Sequence, residues 1–287
     1  MKKHWSFALS TLISASLFLS ACGGSEPAAS TSSNSNSANE ESKHLVIGAT
    51  AGPYGDMVKN AIAPILEKKG YTVETKEFND YVQPNLALAS GDLDANLFQN
   101  EIYLKRFAED KKLDLIPLIK IPTAPMGLYS NKFKSIEEIT EGATAAVPND
   151  PTNIARGLQT LEATGLITIK AEADPIKISE KDIAENKKNL KITPVEAAQL
   201  PRALDGQDIS LIPGNFALAA KMDLTSALIL EQMPEHYINL VAIKTADQDK
   251  QFVKDLKEAI ESPEFEEIAD EKFPGFFKPE WMKNRQK

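Results

Sequence analysis

At 287 residues, 42% of them hydrophobic and 25% charged, the chain is long enough for one large globular domain or two smaller ones with buried cores. Its 41 acidic and 32 basic residues give a net charge of −9, which argues against nucleic acid as a partner. The single cysteine excludes an intrachain disulfide and a cysteine-built metal centre.

The first 21 residues, "MKKHWSFALSTLISASLFLSA", have a basic start, an apolar run from about Phe7 to Leu19 and small residues at the end, which is signal-peptide architecture. The run is too short for a transmembrane anchor. Leu19-Ser20-Ala21-Cys22 fits the bacterial lipobox, in which Cys22 becomes the acylated first residue of the mature protein. The alternative is an ordinary leader followed by an unmodified cysteine. Residues 22–43 then form a tether of small and polar residues, "GGSEPAASTSSNSNSANEES", that could span at most ~70 Å.

From His44 the chain alternates strand-like and helix-like stretches. "HLVIGAT" predicts a strand, and the apolar stripe Val58, Ala61, Ile62, Ile65 and Leu66 predicts a helix ending at Lys68-Lys69-Gly70. "YTVETKEF", "LDANLF" and "DLIPLIKI" read as further strands, with helices over "VQPNLALASG" and "NEIYLKRFAEDKKL" between them. A second series follows Pro122: "APMGLYS", "ATAAV", a helix from Pro151 to about Ala163, "LKITPVE", "AAQLPRAL" and "ISLIPG". "YINLVAIKT" is one more apolar strand, and Phe252, Leu256, Ala259 and Ile260 mark a late helix before the aromatic tail "FPGFFKPEW". The repeated strand-helix-strand order predicts the α/β class, two lobes and mostly parallel sheets.

The stretch "VPNDPTNIARGL" is the chemically pointed one. Asp150 reads as an N-cap and Pro151 as the first helical residue, so Asn153 and Arg156 lie three apart on one face of the opening turns, with Gly157 removing bulk beside them. A helix start with amide and guanidinium donors suits an anion; the competing reading makes Arg156 an ordinary surface arginine. Phe78, Tyr81, Phe98 and Tyr103 fall near the C-terminal ends of predicted strands, the edge where open α/β sheets bind ligands, or else fill the core. With only His44 and His236 left after processing and no GxSxG or phosphate loop, nothing calls for an enzyme, a metal or a cofactor. The acidic runs "DKKLD" and "EFEEIADE" read as solvated helix faces.

The segments "GPYGDM", "DYVQPNLALASGDLDANLFQ", "PTAPMGLYS", "VPNDPTNIAR", "AAQLPR" and "YINLVAIKTAD" closely resemble the NlpA lipoprotein family, over essentially all of residues 44–280. That family includes methionine-binding lipoproteins of ABC importers. The resemblance implies a two-lobe binding-protein fold of type II with the ligand cleft between lobes, one of 44–122 plus 237–287 and the other of 123–236, crossing near Pro122 and His236. It implies a small-molecule ligand, an ABC permease as partner, a lipid anchor facing the periplasm or cell exterior, and no catalysis. By position, Tyr81, Phe98 and Tyr103 would line a thioether pocket, Arg156 would hold the ligand carboxylate, and Asn153 and Asn239 would complete the polar shell. Two positions depart from the family: Asn100 stands where methionine binders carry a histidine, and Pro213 where they carry an asparagine. Because both family residues belong to the polar shell, these departures point to a ligand altered near the amino group, and methionine itself is the alternative. A surface lipoprotein whose main partner is a macromolecule is the reading from another class.

Replacing Cys22 by serine is expected to release the protein from the membrane fraction. Undiminished membrane retention of Cys22→Ser after fractionation overturns the lipid-anchor reading.

Overall fold

The computed structural model describes residues 43–285; the leader, Cys22 and residues 23–42 of the tether lie outside them. In chain order, β1 (His44–Thr50) leads through α1 (Pro53–Met57), a π-helical turn (Val58–Ile62) and α2 (Ala63–Lys68) to β2 (Thr72–Phe78). Then come α3 (Gln83–Ser90), β3 (Ala95–Asn100), α4 (Glu101–Lys111) and β4 (Leu115–Lys120). The next series holds β5 (Gly127–Tyr129), β6 (Thr144–Pro148), α5 (Pro151–Ala163), β7 (Ile167–Ile169), β8 (Ile183–Asn186), β9 (Lys191–Val195), α6 (Leu200–Ala203), β10 (Ile209–Ile212), α7 (Gly214–Ala219) and β11 (Ile229–Leu230). The chain closes with β12 (Asn239–Lys244), α8 (Gln251–Ile260), α9 (Pro263–Lys272) and α10 (Glu280–Arg285).

Two five-stranded sheets result, ordered β2-β1-β3-β12-β4 and β11-β5-β10-β6-β9, each with its own helices. The chain passes from the first sheet to the second over residues 121–126 and returns over 231–238. Neither sheet is mostly parallel, contrary to the sequence expectation. β1 pairs parallel with β2 and β3, but β12 pairs antiparallel with both β3 and β4. In the second sheet β10 and β9 pair parallel with β6, while β5 runs antiparallel to β10 and β11. The re-entry of the chain explains the mixture in the first sheet: β12 arrives from the other sheet and needs no helical crossover to pair antiparallel.

Each sheet buries its own apolar layer. In the first, Leu45, Ile47 and Val241 meet Met57, Ile62 and Leu66 from the α1–α2 run and Phe252, Leu256 and Phe265 from α8 and α9. In the second, Val147 and Leu211 meet Ile154, Leu158 and Leu161 of α5. The predicted helical stripe from Val58 to Leu66 is realised with a π turn in it. Pro64 has no N–H to continue the ladder, and just before it the N–H of Ala63 reaches back five residues to the carbonyl of Val58.

Two glycines in the second sheet's helices behave differently. A methyl group at Gly157 would make only ordinary contacts, 3.5 Å from Pro148 Cδ and 3.6 Å from Leu211 Cβ, so close packing does not demand glycine there. At Gly214 the first turn of α7 presses on the 121–126 segment, and a Cβ would sit 2.3 Å from the Pro125 carbonyl oxygen and 2.7 Å from Ala124 Cβ. Gly214→Ala should therefore lose ~1–3 kcal/mol and roughly 2–10 °C in Tm, while Gly157→Ala should match or exceed the parent through helix propensity. Thermal unfolding of the two variants checks this, and equal Tm values for them would contradict it.

Candidate functional site

The C-terminal ends of β2 and β3 in the first sheet and of β6 in the second face one small cavity of about 20 Å³, room for little more than one water. Seven of the eight residues expected to bind ligand line it: Tyr81, Phe98, Asn100, Tyr103, Asn153, Arg156 and Asn239. Pro213 does not; it is buried as the N-cap of α7, and Gly214 and Asn215 line the cavity in its place.

One wall is aromatic. Tyr81 stacks on Phe98 with centroids 5.7 Å apart, Phe98 meets Tyr103 edge-on at 6.0 Å, and Phe216 leans on Tyr81 at 5.0 Å. Tyr103 Oη donates to the Tyr81 carbonyl at 2.9 Å, which fixes the loop after β2 against α4. Asn100 closes β3 and caps α4, its Oδ1 accepting from the Tyr103 N–H at 2.9 Å. Its acceptor oxygen is thus committed to the helix start, a role the sequence reading had not assigned. Asn239 pairs with Asn100 across β3 and β12, and its Nδ2 donates to the Phe98 carbonyl at 3.0 Å.

The opposite wall is the start of α5. Asp150 caps it as expected: Oδ1 accepts from the Asn153 N–H at 2.9 Å, and the Asn153 Nδ2 donates back to the carboxylate at 3.0 and 3.1 Å. Burial pushes the Asp150 carboxyl above its usual range, and these hydrogen bonds offset that only in part. The cap turns the Asn153 Oδ1 toward Arg156, 3.5 Å from Nη1.

Arg156 is 6% exposed and forms an ion pair with Glu231, whose side chain is 5% exposed. Nε donates to Glu231 Oε2 at 2.5 Å, and Nη2 donates to Oε1. The same Oε1 accepts from the Met126 N–H at 2.5 Å, and the Tyr237 ring lies 5.7 Å from the guanidinium carbon. Burial alone would weaken the guanidinium's hold on its proton; the charge and hydrogen bonds of Glu231 more than offset this and keep Arg156 above its ordinary value.

Sequence reasoning missed Glu231, Tyr54, Gln99, Ala124 and Asn215. Asn215 carries the most structure: its Oδ1 accepts from Tyr81 Oη at 2.8 Å and its Nδ2 donates to Thr50 Oγ1 at 3.3 Å. An asparagine of the second sheet's α7 thereby bridges two residues of the first sheet's side. An amide does reach the cavity from this turn, two residues after the proline. Gln99 points its amide to Asn85 and Asn96 in a buried network under β3. Burial pushes the Tyr54 hydroxyl up to about 12, and its oxygen accepts from the Ala124 N–H at 3.3 Å. Among the described residues no cluster of side chains could hold a metal ion, and no helix is long and apolar enough to cross a membrane.

The chain is similar to known proteins. The D-methionine-binding lipoprotein MetQ of Salmonella typhi is 37% identical over 276 residues, 95% of this chain and 97% of that protein. The protein of the same name from Escherichia coli K12 is 35% identical over the same coverage. A nutrient-binding protein from Burkholderia cenocepacia, solved bound to methionine, superposes with a TM-score of 0.76 at 41% identity, covering 80% of this chain and 97% of that one. The sequence profile of the NlpA lipoproteins matches residues 45–281, and the chain belongs to that family of two-lobe binding proteins.

Proposed function

We propose that the protein is the solute-binding receptor of an ABC importer, held at the cell envelope by a lipid on Cys22 and capturing methionine or a methionine-like carboxylate. The observation that carries this is Arg156, a buried guanidinium at a helix start facing three aromatic rings across one cavity. The free edge of the guanidinium suits a carboxylate, and a thioether among Tyr81, Phe98 and Tyr103 gains ~0.3–1.5 kcal/mol from sulfur–ring contact. The amides of Asn153, Asn215 and Asn239 surround the head group. The names of the MetQ relatives support the same ligand class.

Asn100 and Pro213 are the two positions that point to a ligand altered at its amino group. Asn215 brings an amide into the cavity beside Pro213, so an intact amino-acid head replaces the altered one as the form we favour. A space of about 20 Å³ is far below what an amino acid fills, so capture requires the two lobes to part. The bodies that move are 44–122 with 237–287, and 123–236, hinged where the chain crosses between sheets. Opening would break the Asn215 bridge to Tyr81 and Thr50.

Titration calorimetry of ligand-stripped protein with L-methionine, D-methionine, a methionine dipeptide and N-modified methionine tests the reading. At least one should bind, and Arg156→Ala should weaken that ligand about 30-fold or more, since truncating one side of a buried charge contact costs ~2–5 kcal/mol. A loss below about threefold, or no binding by any of the four, overturns it.

A further inference from the structure

Glu231 stands outside the cavity lining, yet it takes more of Arg156 than any other side chain does. A guanidinium has five N–H donors. Two of them, on Nε and Nη2, are bound side-on by the Glu231 carboxylate, and Nη1 lies 3.5 Å from Asn153 Oδ1. Glu231 lines a separate rear pocket with Arg156, Tyr237 and Gln159, so the carboxylate sits behind the guanidinium as seen from the cleft. It is fixed there from a third side by the Met126 N–H. Glu231 and Met126 lie where the two inter-sheet segments leave the second sheet, and the Glu231 N–H donates to the Met126 carbonyl at 2.9 Å.

Geometry and charge both follow from this placement. The side-on edge of Arg156 is occupied, so an incoming carboxylate meets the remaining Nη hydrogens. The positive charge of Arg156 is cancelled by Glu231 at contact distance, and the other acid at the site, Asp150, can only add negative charge. Tyr54, Tyr81 and Tyr237 are the other titratable groups against Arg156, and none contributes a cation. The fixed charge of the site is therefore zero or negative. A bare carboxylate enters such a site with an unbalanced charge, whereas a zwitterion brings its own ammonium.

We propose that Glu231 is a specificity-determining residue: it holds Arg156 side-on and neutralises it, so that the cleft selects a zwitterionic amino acid over the corresponding simple carboxylate. This rests on the methionine-class reading above, and the test separates the two. Wild-type protein, Glu231→Gln and Glu231→Asp are titrated with methionine and with 4-(methylthio)butanoate, which lacks only the α-ammonium, after circular dichroism has verified folding. Wild type should bind methionine at least tenfold more tightly than the desamino compound. In Glu231→Gln that ratio should fall about tenfold or more (about 1.4 kcal/mol), because an uncancelled charge within several ångströms of the ligand now favours the anion. Glu231→Asp, shorter but still charged, should weaken both ligands while keeping the ratio within about threefold.

Equal weakening of both ligands in Glu231→Gln would reduce Glu231 to a structural brace and overturn the proposal, as would unchanged binding of both. If Glu231→Gln does not fold, the wild type and Glu231→Asp decide: desamino compound bound as tightly as methionine by wild type, or a ratio lost in Glu231→Asp, overturns it. A wild-type protein that binds neither compound but does bind a methionine dipeptide overturns this inference alone. One that binds no methionine-class ligand brings down the functional reading and this inference together.

Discussion

The cleft depends on making a buried guanidinium tolerable. Moving an isolated cation out of water costs several kcal/mol even after relaxation, and the fold meets that cost with a carboxylate that is itself fully bonded. Arg156 and Glu231 share two hydrogen bonds, and the spare capacity of Glu231 goes to the Met126 N–H. Three segments are tied at one point: the first turns of α5, the residue after β11 and the residue before β5. Side chains with such partners keep one orientation, which is what a binding group must have before its ligand arrives.

The second constraint lies across the cavity, where Asn215 joins Tyr81 and Thr50. Around this bridge the two sheets meet through a pair of neutral hydrogen bonds, the Tyr81–Phe216 ring contact and a shared apolar cluster in which Phe98 and Tyr103 join Leu200 and Phe216. Neutral hydrogen bonds are each worth ~0.5–1.5 kcal/mol net, so such a contact favours closure without making it irreversible. The ion pair, by contrast, joins α5 to segments anchored in its own sheet, since β11 pairs with β5. The ion pair thus lies among segments of the second sheet, and the contacts between the sheets are uncharged, the distribution that would keep the charged group ordered if the lobes part as proposed.

Much of this was legible in the sequence because its causes are local. Asp150-Pro151 fixed the start of α5, and the helix spans Pro151–Ala163 as expected, since an N-cap and a first-turn proline act through neighbours alone. Tyr81, Phe98 and Tyr103 were recognisable because strand ends and helix starts place them in one region. Asn100 could have been read as a cap, being an asparagine directly before a helical pattern. Glu231 could not: in "LILEQMPE" it looks like any charged loop residue, and its partner is 75 residues away. Strand direction failed for the same reason, because β12 takes its place in the first sheet only after the chain has built the second.

A lone arginine would have been the simpler anion trap, and a poor receptor. Unpaired, it would hold any small anion of the surrounding solution, and each capture would first have to displace that occupant. Paired with Glu231, the guanidinium is already desolvated and already balanced, so the free energy of ligand binding is not consumed in organising the site. The same pairing lowers the attraction for charge alone and leaves discrimination to the amides and rings that only a ligand of the right shape can meet together. With Glu231 in the role proposed above, selectivity would come from the penalty imposed on wrong ligands as much as from contacts with the right one, and a residue outside the cavity would set that penalty.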